Sequence, residues 1–321
     1  MRKSGDRFLV ELDQKVELDI PYHRLEQILV FGNVQLTTQA IAEALDKGIG
    51  VSFFTRHGRY RGALQSPPGR NVALRLNQYR LYEDHERSLG MAREIVKQKI
   101  GNALAVLKRY QDRQPHEDLN AARRAVMAEM QGKLGEVKSL AELDGCEGMA
   151  AKNYFEALMQ FNRSEFMWPG REKHPAKDPL NALLSLAYTL LQQELAALIE
   201  AAGLDPAIGM LHEVDGGRPS LALDLVEAFR HPVADRYVLA QVNRSVFQEG
   251  DFEPGEENTG MLLKATSMRR FFEDFEKWML EGRVSFRQRL REEVERFAGW
   301  LRDGGEWRPF AFDEPEEAAV S

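Results

Sequence analysis

The sequence is poor in cysteine, since Cys146 is the only one among its 321 residues. This excludes an intrachain disulfide and a cysteine-rich zinc site, and it fits a reducing compartment. No segment has the run of about 18 apolar residues that a membrane span needs. The N-terminus also lacks the apolar core of a signal peptide. These absences predict a cytoplasmic protein with no membrane partner.

The sequence also lacks an overall excess of positive charge. Its net charge of −7 argues against a uniformly basic protein that coats nucleic acid. Between residues 56 and 109, however, bases clearly outnumber acids. Such a stretch either forms a local surface that follows a phosphate backbone or is simply the solvated face of helices. Its bases are Arg56, Arg59, Arg61, Arg70, Arg75, Arg80, Arg87, Arg93, Lys97, Lys99, Lys108 and Arg109, and its acids are Glu83, Asp84, Glu86 and Glu94.

Composition and periodicity divide the chain into a β-rich part and a helical part. Two prolines and a glycine at 66–71 cannot continue a helix or strand, so this segment reads as a linker. We therefore predict an α+β fold with a small N-terminal β-rich domain and a larger all-helical domain. The predicted domains are 1–65 (β-rich) and 72–302 (helical), followed by a loose acidic tail at 303–321.

Individual elements follow from the same patterns. Short apolar runs predict strands at 7–11, 28–31, 51–55 and 60–64, and the last two read as a hairpin. Helical spacing predicts one or two helices over 72–110, a helix that starts near Glu147, a nearly all-apolar helix at 180–202 and a helix at 235–247. A loop is expected at 248–260 and two more helices at 262–301.

The stretch 209–231 (GMLHEVDGGRPSLALDLVEAFRH) combines polar and apolar residues unusually. Asp-Gly-Gly at 215–217 breaks any helix through His212, and a new helix is expected from Pro219 and Ser220. Asp224 and Glu227 are three residues apart, so they point the same way from that helix. The rest of the helix is apolar, which makes two carboxylates costly there unless a cation or base accompanies them.

Two interpretations of this stretch are open from the residues alone. His212 can be a structural histidine, and the two acids can be the solvated edge of an amphipathic helix. Alternatively, His212 and the acids belong to one metal site. Glu147 has its own alternative, because an acid near a helix start is often only a partner of the helix dipole.

Four stretches together resemble one known family. They are VFGNVQLTTQAI at 30–41, CEGMAAKNYF at 146–155, DPLNALLSLAYTLL at 178–191 and GMLHEVDGGRPSLALDLVEAFR at 209–230. With a β-rich start and a helical remainder, they are similar to the CRISPR-associated adaptation integrase, a metal-dependent DNA endonuclease and integrase. The similarity covers almost the whole chain and is greatest to members found with type I systems.

The resemblance implies a fold and a set of site residues. The family has a small β domain followed by a helical catalytic domain. Its metal ligands are an acid in a Glu-Gly-x-x-Ala motif, a histidine after Gly-x-Leu and an acid in the next helix, which fall on Glu147, His212 and Glu227. Asp224 resembles a further acid near the metal in many members. Beside these motifs, Lys152 and Arg218 are candidates for contact with the reacting phosphate.

The resemblance also implies the chemistry and the partners. Two carboxylates and an imidazole suit Mn²⁺ well and Mg²⁺ acceptably. The expected reaction is transesterification, in which the 3′-OH of a short DNA fragment attacks a phosphodiester at the end of a CRISPR repeat. The expected partners are double-stranded DNA (the spacer precursor and the repeat), a second copy of the chain, and a small ferredoxin-like adaptation protein.

One departure and two alternatives accompany this hypothesis. Family members usually carry a short strand segment before the position of Arg2, which leaves the first strand and the dimer contact of the β domain open. A branched-DNA nuclease with the same three ligands is one alternative. A non-catalytic helical DNA-binding scaffold is the other. A zinc hydrolase is disfavoured, because His212 and Glu213 have no second histidine four residues later.

Overall fold

The chain forms two units, Met1–Gly69 and Arg70–Ser321. They are described here from a computed structural model that covers residues 1–25, 27–56, 60–64, 71–113, 120–172, 175–255 and 260–312. Most of the predicted linker at 66–71 lies outside these residues, as do Arg59, Arg70 and the acidic end of the chain from Asp313. The first unit is β-rich and the second is mostly helical, so the predicted α+β class is confirmed.

An antiparallel sheet of three strands opens the first unit. Its strands are β1 (Arg2–Ser4), β2 (Arg7–Leu12) and β3 (Lys15–Pro21), in that order across the sheet. The first strand, left open by the sequence, is present and pairs with β2. The third strand was not predicted, although Val16, Leu18 and Ile20 alternate with charged residues as a strand requires.

A second sheet follows in the same unit. Its strands are β4 (Gln27–Phe31), β5 (Gly50–Phe54) and β6 (Tyr60–Leu64), and helix α1 (Thr38–Asp46) connects the first two. Because α1 returns the chain to the same end of the sheet, β4 and β5 are parallel. The predicted hairpin is confirmed, since β5 and β6 are antiparallel.

The second unit contains helices with one small hairpin between them. The helices are α2 (Val72–Glu83), α3 (His85–Asp112), α4 (Ala121–Lys133), α5 (Leu140–Leu158), α6 (Pro179–Ala201), α7 (Ser220–Phe229), α8 (Arg236–Asn243), α9 (Ala265–Leu280) and α10 (Phe286–Asp303). The hairpin pairs β7 (Phe252–Pro254), inside the loop expected at 248–260, with β8 (Met261–Leu263), which overlaps the start of the helical region expected at 262–301. The region 72–110 is two helices, because Asp84 leaves the helical conformation and its side chain accepts from the N–H of Arg87.

Helices α3, α5, α6 and α7 pack together at the centre of this unit. The buried face of α3 follows helical spacing, with Met91, Ile95, Val106 and Leu107 in the core. Helix α6 is long and apolar enough to cross a membrane by length and composition, with a mean hydropathy of 1.4. More than half of that window is buried inside the unit, as in the core helix of a globular protein, so this is weak evidence for a membrane span.

The start of α5 differs from the prediction. Ser139 caps the helix by accepting from the N–H of Glu142, so α5 begins at Leu140. Glu147 therefore lies two turns inside the helix, and the interpretation of Glu147 as a dipole partner at a helix start is wrong. Glycine at 145 and 148 costs about 1 kcal/mol each relative to alanine, which the cap and the buried face of α5 outweigh.

The helix predicted at 235–247 is present as α8, which begins at Arg236 and ends at Asn243. Between Arg230 and Asp235 the backbone forms a π-helical turn that joins α7 to α8. Pro232 lies inside this turn and cannot donate an N–H to a regular helix. The wider turn carries His231 and Asp235, both of which are buried.

The predicted loose tail is packed as far as Phe312. We refer to residues 304–312 as the C-terminal segment. Trp307, Phe310 and Phe312 are buried, and the ring of Phe310 stacks on Phe229 at 4.5 Å. Asn102 of α3 holds this segment against the helix. Its side chain donates to the carbonyl of Phe310 at 2.8 Å and accepts from the N–H of Phe312 at 2.9 Å. The expectation of a loose segment is therefore wrong for these residues.

Candidate active site

Asp224 organises the loop that precedes α7. Its carboxylate accepts from the backbone N–H groups of Met210 at 2.6 Å, Leu211 at 3.0 Å and His212 at 2.9 Å. The Nδ1 nitrogen of His212 lies 2.8 Å from the same carboxylate. Because Asp224 is fully buried, these donors replace the water that an ionised carboxylate would otherwise need.

Gly209 makes this loop possible. A Cβ at Gly209 would lie 2.6 Å from the carbonyl carbon of Ser220 and 2.8 Å from Oδ2 of Asp224. Real Cβ atoms do not approach other atoms so closely, so only glycine lets the loop reach the carboxylate. The glycine of the Gly-Met-Leu-His stretch therefore has a packing role that the sequence alone did not reveal.

His212 is oriented by this arrangement. A carboxylate acceptor at Nδ1 favours the tautomer that carries its proton there, which leaves the Nε2 lone pair free. Nε2 lies 3.7 Å from Oε1 of Glu227, and the His212 side chain is 22% exposed. The imidazole therefore directs Nε2 toward a carboxylate at a site that opens to solvent.

Glu227 lies on the same face of α7 as Asp224, as predicted from their spacing. Its side chain is only 2% exposed, and two cations accompany it: Nζ of Lys99 at 2.6 Å from Oε2 and an Arg230 nitrogen at 3.1 Å from Oε1. Burial favours the neutral acid, but Arg230, Lys99 and His212 outweigh it and lower the pKa of Glu227 to about 2. The carboxylate is therefore ionised throughout the neutral pH range.

Glu147 joins the cluster from α5. Its Oε1 lies 2.5 Å from Nζ of Lys99, and its side chain is 22% exposed. Lys99 thus contacts Glu147 and Glu227 at once and links α5 to α7. Burial disfavours the ammonium, but Glu227 and Glu147 outweigh this and raise the pKa of Lys99. The structure consequently brings together the three residues that the sequence identified as candidate ligands.

The residues of this cluster have the donor chemistry that a divalent cation needs. Two carboxylates and one imidazole nitrogen suit Mg²⁺ or Mn²⁺. Oε2 of Glu227 is buried and lies 2.6 Å from Nζ of Lys99. Within the described part of the chain, no three acid, histidine or cysteine side chains are arranged to hold an ion as they stand. The ligand types fit a metal, but Lys99 lies between the two glutamates.

A buried polar layer supports Arg230. The Arg230 guanidinium lies 4.9 Å from the centre of the Tyr188 ring, and the Tyr188 hydroxyl donates to Asp235. The other oxygen of Asp235 lies 2.7 Å from Nδ1 of His231, whose ring packs on Tyr154. Burial, followed by the charge of Asp235, raises the pKa of Tyr188 well above its usual value, so Tyr188 stays neutral and can donate to Asp235.

Lys152 and Arg218 do not belong to the cluster. Both are exposed, and among the described residues neither forms a hydrogen bond or ion pair with Glu147, His212 or Glu227. Their predicted contact with a reacting phosphate remains a prediction.

Lys99 and Arg230 are the site residues that the sequence analysis missed. Lys99 was counted in the basic surface, yet it is 8% exposed and faces two acids. The signal was its position one turn after Ile95, on the apolar face of α3, where a cation needs a buried partner. Arg230 was detectable by its i,i+3 spacing from Glu227.

The remaining bases of the predicted DNA-binding surface differ in their exposure to solvent. Arg80, Arg87, Lys97 and Lys108 are exposed on α2 and α3, as a backbone-binding surface requires. Arg93 instead donates to the carbonyl of Val137 and is partly buried.

Comparison with known proteins agrees with this architecture. A CRISPR-associated endonuclease of Chlorobaculum tepidum is 34% identical over 302 residues, which cover 92% of this chain and 84% of that protein. A solved Cas1 protein from Thermotoga maritima has a TM-score of 0.81 at 28% identity, covering 98% of this chain and 96% of that one. A casposase bound to an integration product has a TM-score of 0.84 over 99% of this chain and 92% of its own, and at 24% identity this likeness shows the fold alone.

The family model for CRISPR-associated protein Cas1 matches residues 1–277. That range includes the whole β-rich part, the helix that carries Glu147 and the stretch with His212 and Glu227. Together with the relative from Chlorobaculum tepidum, the match shows that this chain belongs to the CRISPR-associated protein Cas1 family.

Proposed function

We propose that this chain is a metal-dependent DNA endonuclease and integrase that inserts short DNA fragments into a CRISPR array. The observation that carries the proposal is the convergence of Glu147, His212 and Glu227 from α5, the preceding loop and α7. The Chlorobaculum tepidum relative, which is named a CRISPR-associated endonuclease, supports the reaction class.

The three residues have distinct tasks in this proposal. Glu147 and Glu227 would hold Mg²⁺ or Mn²⁺ through carboxylate oxygens, and His212 would hold it through Nε2. The bound ion would supply charge stabilisation at a phosphate oxygen and lower the pKa of an attacking hydroxyl. Asp224 keeps the proton of His212 on Nδ1, so it acts as a positioning residue rather than a ligand.

The proposed reaction is a direct transesterification. The 3′-OH of the incoming fragment attacks a phosphodiester at the end of a repeat, forming one phosphorus–oxygen bond as another breaks. The released strand end takes the proton that the attacking hydroxyl loses, so no external energy source is consumed. With water as the attacking group, the same site would cut DNA instead of joining it.

The substrate and partners follow from the same proposal. Double-stranded DNA would lie along exposed bases such as Arg80, Arg87 and Lys97, which contact phosphates without reading bases. A homodimer and a small ferredoxin-like adaptation protein would complete the assembly, and a cytoplasmic location is expected.

A strand-transfer assay tests the proposal. Labelled duplex DNA with a free 3′-OH is incubated with a supercoiled plasmid carrying a repeat, with Mn²⁺, Mg²⁺ or a chelator, and with or without the small partner. Glu147→Ala, His212→Ala and Glu227→Ala are expected to abolish joining. Glu213→Ala is the matched control, because this neighbouring side chain is exposed and not part of the cluster.

The outcomes separate the proposed function from its alternatives. Metal-dependent joining that the three site variants lose, and that Glu213→Ala retains, supports the integrase. Metal-dependent cutting without joining would favour a branched-DNA nuclease at the same site. Equal behaviour of the wild type, the site variants and the chelated sample would contradict the site and favour a DNA-binding scaffold.

A further inference from the structure

Lys99 lies between the two acidic side chains that would hold a metal ion. Its Nζ is 2.5 Å from Oε1 of Glu147 and 2.6 Å from Oε2 of Glu227. Both acids are proposed ligands, and they come from different helices. A single ammonium that contacts one oxygen of each therefore takes the bridging position of a cation.

Adding a metal would change the charge balance of the cluster. Glu147, Glu227 and Asp224 carry three negative charges, whereas Lys99 and Arg230 carry two positive charges. A divalent cation would therefore leave an excess of one positive charge, which the departure of one cationic side chain would cancel. In a site of low dielectric, such an excess is strongly unfavourable.

Lys99 is the group that can leave. Arg230 is fixed, because its guanidinium contacts Glu227 at 3.1 Å and lies over the Tyr188 ring. Lys99 carries its charge on a flexible four-carbon stem, and its side chain is 10% exposed. Glu147, beside it, is 22% exposed, which provides a path toward solvent.

We propose that Lys99 is an internal competitor of the metal, holding Glu147 and Glu227 together in the unloaded site and moving aside when the ion binds. This inference rests on the proposed function, because it assumes that these two acids are metal ligands. It adds a task for Lys99 that neither the ligand motif nor a DNA-binding surface includes: it sets how tightly the protein retains metal without DNA.

The proposal predicts that removing the ammonium strengthens metal binding. In Lys99→Met, the apolar stem remains and the charge is lost. Mn²⁺ is expected to bind this variant at least about tenfold more tightly than the wild type, which corresponds to about 1.4 kcal/mol. Without metal the variant is expected to melt at a lower temperature, because Glu147 and Glu227 lose their shared partner. Mn²⁺ should then raise its melting temperature more than that of the wild type.

Calorimetric titration of the full chain with Mn²⁺, in the absence of DNA, tests this prediction. Lys97→Met is the matched control, since Lys97 is exposed on the same helix and pairs with Glu94 at 3.6 Å. Glu147→Gln reports whether the titrated site is the proposed one. Lys99→Arg keeps the charge and is expected to bind Mn²⁺ no more tightly than the wild type.

Each result has a defined meaning. Tighter binding by Lys99→Met alone, lost again when Glu147→Gln is added, supports the competitor. Binding that depends on Glu147 but is unchanged or weaker in Lys99→Met would overturn it while leaving the metal site intact. If wild type and Glu147→Gln titrate alike, the proposed function itself fails. Should Lys99→Met not fold, Lys99→Arg decides, because tighter binding by a variant that keeps the positive charge would overturn the proposal.

Discussion

A single oxygen of Asp224 binds both the backbone and the side chain of His212. Oδ1 accepts the N–H of His212 at 2.9 Å and lies 2.8 Å from Nδ1 of its ring. The backbone direction and the ring direction of the histidine are therefore set by one atom. Since Asp224 is fully buried on α7, His212 is held at a fixed distance from the helix that carries Glu227.

This arrangement predicts a large effect for Asp224→Asn. The asparagine amide has the shape of the carboxylate, but only one of its two terminal atoms can accept a hydrogen bond. Its NH₂ group must therefore face either the N–H groups of Met210 and Leu211 or the backbone N–H and Nδ1 of His212. Each orphaned buried donor costs about 1–3 kcal/mol, and loss of a histidine-orienting carboxylate typically weakens metal binding by about 10–100-fold. Urea unfolding and Mn²⁺ titration measure the two effects.

Asp215→Asn is the control for this variant. Asp215 is exposed and its side chain accepts from the N–H of the adjacent Gly216. Its change should leave stability within about 0.5 kcal/mol, as for most surface substitutions. Equal effects of the two variants would contradict the positioning role of Asp224.

Gly209 gives a second prediction, based on close packing. In Gly209→Ala, the added Cβ would meet the backbone of Ser220 and the carboxylate of Asp224 at under 3 Å. The loop must shift, and because inserting a methyl into a packed site typically costs about 1–3 kcal/mol, we expect a loss of that size in the free energy of unfolding. Thermal melts and strand-transfer activity should both fall.

Gly216→Ala tests whether this effect is specific. No atom lies within 4 Å of a Cβ built at Gly216, and its backbone angle is not in the positive range. This variant should be as stable as the wild type or slightly more stable, because alanine restricts the unfolded chain. A Gly209→Ala protein with unchanged stability and activity would show that the loop tolerates displacement.

The buried acid Glu293, which lies outside the candidate site, leads us to expect that the stability of the protein depends on pH. This side chain of α10 is fully buried, and burial raises its pKa to about 7 despite the opposing effect of Arg296. An unfolded chain releases this proton near pH 4.5, whereas the folded protein keeps it until about pH 7. The contribution of Glu293 to stability is therefore complete below pH 4.5 and is lost as pH rises through 7.

Glu293→Gln should remove this dependence. The fall in unfolding free energy between pH 4.5 and pH 8 is expected to be smaller by up to about 3 kcal/mol than in the wild type, since each pKa unit corresponds to about 1.4 kcal/mol. Urea unfolding at several pH values measures it. Glu295→Gln, at an exposed position of the same helix, should keep the wild-type slope. A wild-type slope in Glu293→Gln would show that Glu293 is ionised in the folded protein at neutral pH.

Local sequence patterns predicted the helix of the site but not the tasks of its acids. The spacing of Asp224 and Glu227 placed both on one face of α7, and that geometry is confirmed. Which acid orients His212 and which faces the cations depends on the path of the loop around Gly209. That path is determined by close packing against α7, which periodicity does not describe.

Contacts distant in sequence explain the other differences. Lys99 meets Glu147 across 48 positions, so its place on the apolar face of α3 could indicate burial but not which acid it contacts. The start of α5 was misplaced because Asp-Gly-Cys-Glu-Gly resembles a break, whereas the cap at Ser139 and the buried face of the helix keep it continuous. The missed strand β3 has the alternation of a strand, but Val16 and Leu18 are half exposed, so the alternation does not mark a buried face.

The C-terminal segment has a consequence for comparing this chain with its relatives. The family model stops at residue 277, yet Phe310 of the C-terminal segment stacks on Phe229, two positions after Glu227. Asn102, three positions after Lys99, also donates to the carbonyl of Ala228. A relative without these parts would have to shield that side of α7 with another element or with another protein chain. The family model therefore ends before the segment that packs on the helix of the candidate site, whereas the relative from Chlorobaculum tepidum is matched over 92% of the chain.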